Sequence, residues 1–155
     1  MIGPRPAALC TPHRDGMLLI DAMLGAEQDK ARSETIIKRD NIFFEPGRGV
    51  PGYIGFELMA QTINAFDGWR RIERGQKPTI GFLLGCRRYA CRLDYFAEGA
   101  RLVTEVRSLL KNAEDEMVSF ECRIFEADGV ETAHAVLKAY RPHAPDAFLK
   151  AQLAK

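Results

Sequence analysis

Long hydrophobic runs are missing from this sequence. No segment approaches the roughly 18 to 20 consecutive apolar residues of a membrane-crossing helix, which excludes that class of protein. Charge of one sign is missing too. With 22 basic residues against 21 acidic ones, a formal net charge of +1 and no long single-sign run, the chain offers no broad surface for nucleic acid or for anionic lipid. Cysteine is sparse and scattered: Cys10, Cys86, Cys91 and Cys122 fall in none of the paired spacings that a zinc site needs, so no metal is expected. Free thiols suit a reducing compartment. The opening "MIGPRPAALCTPHRDG" is broken by Pro, Arg and Asp before any apolar stretch of signal-peptide length, so the expected location is the cytoplasm. Repeats and low-complexity tracts are absent as well, and residues 1–155 read as one domain, with a core over about residues 10–142 and a tail at 143–155. Histidine is the last scarcity, with only His13, His134 and His143.

What is present is a hydrophobic content of 46% over 155 residues, enough to bury roughly two thirds of the surface that the unfolded chain exposes. "MLLIDAML" and "ARSETIIK", separated by the polar "AEQDK", predict two short strands and a turn. "RDNIFFEPGRGV" predicts a loop, because a Pro and two Gly interrupt it. Pro51 then opens a helix, where its fixed φ and missing N–H are tolerated, and Gly75 and Pro78 bound the far end. Ile54, Phe56, Leu58, Met59, Ala60, Ile63, Ala65, Phe66 and Trp69 leave its first four turns almost no wet face. Such a helix must be enclosed by other structure.

The second half reads as strands. In "ARLVTEVRSLL" Leu102, Thr104, Val106, Ser108 and Leu110 share a face; in "MVSFECRIF" Val118, Phe120, Cys122 and Ile124 do; in "ETAHAVLKAY" the narrow face is Ala133, Ala135, Leu137 and Ala139. "TIGFLLGCRRYAC" is a further strand interrupted by glycine. Period-2 alternation with turns at "KNAEDE" and "EADG" predicts an antiparallel sheet packed on one side, so the fold class is α+β.

One carboxylate stands inside the enclosed helix. Burying a lone carboxylate costs several kcal/mol, so Glu57 needs a partner or a task. Glu57, Gln61 and Asn64 fall at i, i+4 and i+7 and stack on one side of the helix. Two readings are open: the seam satisfies itself against neighbouring backbone or a subunit partner, or it faces a ligand channel. The helix start favours the channel. Gly52 sits where backbone N–H groups lack intrahelical partners and the dipole is positive, a place that can polarise a carbonyl oxygen.

"PGYIGFELMAQ", together with "PHRDGMLLID" and "NIFF" before it, resembles the hot-dog fold 3-hydroxyacyl-acyl-carrier-protein dehydratases, and within them the predicted dehydratases of aryl-polyene-type clusters. The resemblance covers nearly the whole chain. It implies a hot-dog fold, a curved antiparallel sheet wrapped around one long helix, usually in a dimer with the site at the subunit interface. It implies a 3-hydroxyacyl substrate carried as a thioester on phosphopantetheine of an acyl carrier protein or on CoA, with no other cofactor. Partners follow from the same resemblance: a second copy, or a related hot-dog subunit in a heteromer. Gly52 then gives its N–H to the thioester carbonyl and Glu57 delivers a proton to the departing hydroxyl. Tyr53, Gln61 and Asn64 are the expected substrate-binding residues.

The sequence departs from this family at one place. The loop before Pro51 usually carries the histidine that removes the α-proton, and "EPGRGV" has none. His13 and Glu45 are the candidate substitutes, Glu45 if burial raises its pKa. His134 falls on a polar strand face and His143 in the tail. Arg48, Arg87, Arg88 and Arg92 are candidates for contact with an acidic carrier or its phosphate, or are simply solvated. Three functions therefore stand: a dehydratase using Glu57, a non-catalytic subunit that partners an active dehydratase, and a thioesterase.

Overall fold

The computed structural model describes residues 3–79, 82–109 and 117–140. Seven strands form one antiparallel sheet in the order β1-β2-β3-β7-β8-β9-β5, namely Arg5–Pro6, Ala22–Ala26, Lys30–Ile36, Arg101–Ser108, Met117–Glu126, Glu131–Tyr140 and Phe82–Cys91. A two-stranded pair, β4 (Val50–Pro51) with β6 (Tyr95–Phe96), closes beside it. One helix, α1 (Gly55–Glu73), enters through a 3-10 turn at Gly52–Ile54 and packs across the sheet. This is the expected hot-dog arrangement.

The alternation read from β7, β8 and β9 sets their inward faces. Leu102, Thr104 and Val106 are buried, as are Val118, Phe120, Cys122 and Ile124, and then Ala133, Ala135 and Leu137. Small alanines on β9 let α1 approach closely, and Leu58, Met59, Phe66 and Trp69 fill the space. Thr132, next to the inward Ala133, is buried as well, and its hydroxyl is satisfied by donating to Ile124 O. No described helix is long and apolar enough to cross a membrane. Among the described residues no cluster of His, Cys, Asp or Glu is placed to hold a metal ion.

The first expected strand begins later than its apolar pattern suggests. Asp15–Met17 is a 3-10 turn and β2 starts only at Ala22. The reason is that residues 10–19 run along α1 as a strap. Cys10 O lies where any Cβ at Gly68 would stand, so only glycine admits this crossing. The expected turn at residues 111–116, Leu110, His143 and the rest of the tail lie outside the described residues, as does the side chain of Arg87.

The edge strand β5 carries a bulge. Arg87 pairs with Val136 and Ala90 with His134, so Arg88 and Tyr89 together face the single residue Ala135. One extra residue turns Tyr89 from the outer face to the inner one. The cost sits at Arg88, whose φ of 55° is left-handed and unfavourable by roughly 1–2 kcal/mol for a residue with a side chain. Arg88→Gly is therefore expected to hold or raise the melting temperature, whereas an exposed strand position normally loses stability on such a change. A fall of several degrees in a thermal melt would contradict the bulge.

Candidate active site

Glu57 stands on the first turn of α1, half-buried rather than enclosed. It opens into a cavity of about 380 Å³ walled mainly by apolar side chains, among them Leu19, Ile54 and Phe56. The mouth is formed by Met17, Ile42, Phe43 and Tyr53, of which Met17 is 61% and Tyr53 68% exposed. Large apolar side chains gathered at one opening leave this rim uncovered in the single chain. Tyr53 therefore lies where it was expected, against the cavity.

Gln61 is fully buried, and every hydrogen-bonding atom of its amide is in use. Its Oε1 accepts from Leu19 N at 2.8 Å, and its Nε2 donates to Met17 O at 2.8 Å and to Glu57 Oε1 at 3.1 Å. A primary amide has two donor hydrogens, and both are committed here. Gln61 lines the cavity, as a substrate-binding residue would, and it also ties the strap to the helix and orients the Glu57 carboxyl.

Asn64 is also tied to the strap, away from the Glu57 cavity. Its Nδ2 donates to Thr11 Oγ1 at 2.7 Å, and the residue lines a separate cavity of only about 40 Å³ beside Phe66 and Phe120. Thr11 is buried and sits 2.6 Å from His13 Nδ1. Because Thr11 Oγ1 accepts from Asn64 and from His13 N, its own hydrogen is left for His13 Nδ1. His13 does not line the Glu57 cavity, and its ring is tied into the strap rather than aimed as a base.

At the helix start, the Gly52 N–H is already engaged, donating to Asp94 O at 2.7 Å. The donor expected for a substrate carbonyl is thus taken by the β5–β6 connection. The glycine is needed for a different reason, since a Cβ at this position would overlap Leu93 O. The next N–H, of Tyr53, precedes the first intrahelical bond and has no partner among the described residues. Tyr89, aimed inward by the β5 bulge, donates from its hydroxyl to Gly52 O at 2.5 Å.

The loop at residues 45–49 is a closed turn. Glu45 N donates to Gly49 O, and the Glu45 carboxylate accepts from Tyr95 OH at 3.3 Å, while Arg48 donates to that same hydroxyl at 3.2 Å and lies over the ring. Glu45 is therefore paired with Tyr95 and stands outside the residues that line the Glu57 cavity. Arg88 and Arg92 are exposed. His134 lies on the outer sheet face beside Glu121. Thr11, Tyr89 and Asp94 were not singled out from the sequence: Thr11 and Asp94 sit in segments without periodicity, and the parity of Tyr89 depends on the bulge.

No curated protein matches this sequence. Among solved structures, the dehydratase heterocomplex ApeI:P from Xenorhabdus doucetiae is similar at a TM-score of 0.82 and 27% identity, over 94% of this chain and 97% of that one. A hypothetical thioesterase from Streptococcus pneumoniae TIGR4, solved with coenzyme A, shares the fold at a TM-score of 0.57 and 12% identity, over 76% of this chain and 82% of that one. The PaaI protein of the phenylacetic acid degradation operon of E. coli does so at 0.58 and 11%, over 77% and 78%. The model of the ApeP-like family, described as ApeP dehydratase, matches residues 5–150. With that match spanning nearly the whole chain, and Glu57 opening on the cavity at the head of its helix, the protein belongs to the ApeP-like dehydratase family.

Proposed function

We propose that this chain supplies the acid half of a 3-hydroxyacyl-thioester dehydratase and works in a complex with a second hot-dog subunit that supplies the base. The observation that carries this is the Glu57 carboxyl, held by Gln61 at an apolar cavity whose rim of Met17, Ile42, Phe43 and Tyr53 lies open. In the elimination, a base takes the α-proton, the electron pair forms the Cα–Cβ double bond, and the Cβ–O bond breaks as Glu57 passes a proton to the departing hydroxyl. The products are an enoyl thioester and water. The Tyr53 N–H takes the thioester carbonyl, the role first assigned to Gly52. The acyl chain lies among the apolar walls and is carried on phosphopantetheine, in fatty acid or polyene biosynthesis in the cytoplasm.

Base and acid each contribute about 10²- to 10⁴-fold in such reactions. His13 and Glu45 are both committed elsewhere, so a second copy of this chain would bring the same committed groups, and the partner that completes the site is a different, histidine-bearing subunit. The heterocomplex similar to this chain supports that assembly.

The test is to incubate a 3-hydroxyacyl carrier-protein thioester with this chain alone and then with its partner subunit. Mass spectrometry is expected to show loss of one water only with both present. Full enoyl formation by this chain alone would refute the shared site, and release of free acid would indicate a thioesterase. The occupied Gly52 N–H and the histidine-free loop also favour a second reading, a non-catalytic subunit. That reading predicts undiminished activity of the complex after Glu57 is replaced.

A further inference from the structure

We propose that Tyr89 is a positioning residue of this site, fixing and polarising the peptide unit that carries the Tyr53 N–H; the inference rests on the dehydratase reading above. The Gly52 carbonyl and the Tyr53 N–H belong to one planar trans peptide. That carbonyl accepts from the Gly55 N–H within the 3-10 turn and, from the side of the sheet, from the Tyr89 hydroxyl, so Tyr89 adds a second restraint on the plane and hence on the direction in which the N–H on the opposite edge points. A carbonyl that accepts a hydrogen bond also makes its own amide a stronger donor, by about 10–30% per linked bond.

Independent features converge on this hydroxyl. It occupies the volume that a Cβ at residue 55 would need, so Gly55 and Tyr89 form a matched pair at the head of α1. The β5 bulge exists at the expense of a left-handed Arg88, and the residue it turns inward is Tyr89. Backbone strain of this kind persists where the surroundings demand one geometry, and it gathers at sites of function. Gly52 is held from its other side by the bond to Asp94 O, so the turn at residues 52–55 is gripped by β5 and by the β5–β6 connection together. Burial raises the Tyr89 pKa above its ordinary value, with Cys91 and Cys86 adding to the rise. The phenol thus keeps its proton and remains a donor at neutral pH.

The test is Tyr89→Phe, which removes one oxygen, measured in the complex with the partner subunit. Losing an entire carbonyl donor costs about 10²- to 10³-fold in kcat; here the donor stays and loses alignment, so a fall of about tenfold is expected, with KM changed less than about twofold. The amide resonance of Tyr53 is expected to move in the same variant, a readout that loss of packing alone would not shift selectively. Gly55→Ala, which displaces the hydroxyl while keeping the tyrosine, should give the same kcat loss, and the two changes together should cost no more than either alone. Unchanged kcat and an unmoved Tyr53 amide in Tyr89→Phe, measured well below its melting temperature, would overturn the proposal. Should Tyr89→Phe fail to fold, Gly55→Ala decides by the same readouts. Failure of the Glu57 reading is separately visible, because Glu57→Gln would then retain turnover while the Tyr53 resonance still reports on Tyr89.

Discussion

Replacing Glu57 with glutamine is expected to lower kcat of the complex by about 10²- to 10⁴-fold, the usual contribution of one acid/base group, and to leave the fold in place. The change is nearly isosteric. A glutamine oxygen at residue 57 still accepts from Gln61 Nε2, so the strap, the helix and the cavity wall keep their contacts. What is lost is the ability to hand a proton to the leaving hydroxyl. The carboxyl also sits on the first turn of α1, where the helix dipole is worth about 0.3–1 kcal/mol to whatever fraction of it is ionised. A stability loss larger than that range in a chemical melt would mean that Glu57 carries more structure than its contacts indicate.

Gln61→Leu is expected to produce the largest stability loss. Leucine has similar bulk but no polar atoms, so the buried Leu19 N–H loses its acceptor and Met17 O loses its donor. Each such orphan costs about 1–3 kcal/mol, which makes a total of about 2–4 kcal/mol reasonable, since Met17 is partly wet. In a chain of this size that lowers the melting temperature by roughly 5–15 °C. The same substitution frees the Glu57 carboxyl from the Gln61 amide that holds it, so kcat falls in the fraction that remains folded. Gln61→Glu separates the two effects, because it keeps an acceptor for Leu19 N and sets a second carboxyl beside Glu57. A melt unchanged within about 0.5 kcal/mol for Gln61→Leu would show that the strap is held elsewhere.

Much of the fold was legible because polarity alone decides which face of a strand is inward. The faces of β7, β8 and β9, the opening of the helix after Pro51 and its end before Gly75 all follow from local chemistry. The polar seam did not yield in the same way. Glu57, Gln61 and Asn64 fall on one side of α1, but whether such a stripe meets a ligand or a distant piece of chain depends on contacts across the sequence. Gln61 reaches 42 residues back to Leu19 and Asn64 reaches 53 back to Thr11, and no local pattern announces either bond. The bulge at Arg88 was hidden for a related reason. Left-handed backbone usually advertises itself with glycine or asparagine, and here an arginine carries it. Without that extra residue Tyr89 would count as outward, and its part in the site would not be suspected.

The seam thus divides into two tasks. Gln61 and Asn64, with Gly68 below them, anchor the strap of residues 10–19 to the helix. Glu57 faces the cavity beside Gln61, with one of its oxygens held by that amide.

The most direct measurement is a single-turnover reaction of a 3-hydroxyacyl carrier-protein thioester with the two-subunit complex, wild type against Glu57→Gln, followed by mass spectrometry. The account predicts conversion to the enoyl thioester by the wild-type complex and almost none by the variant over the same interval. Equal conversion by both would contradict it.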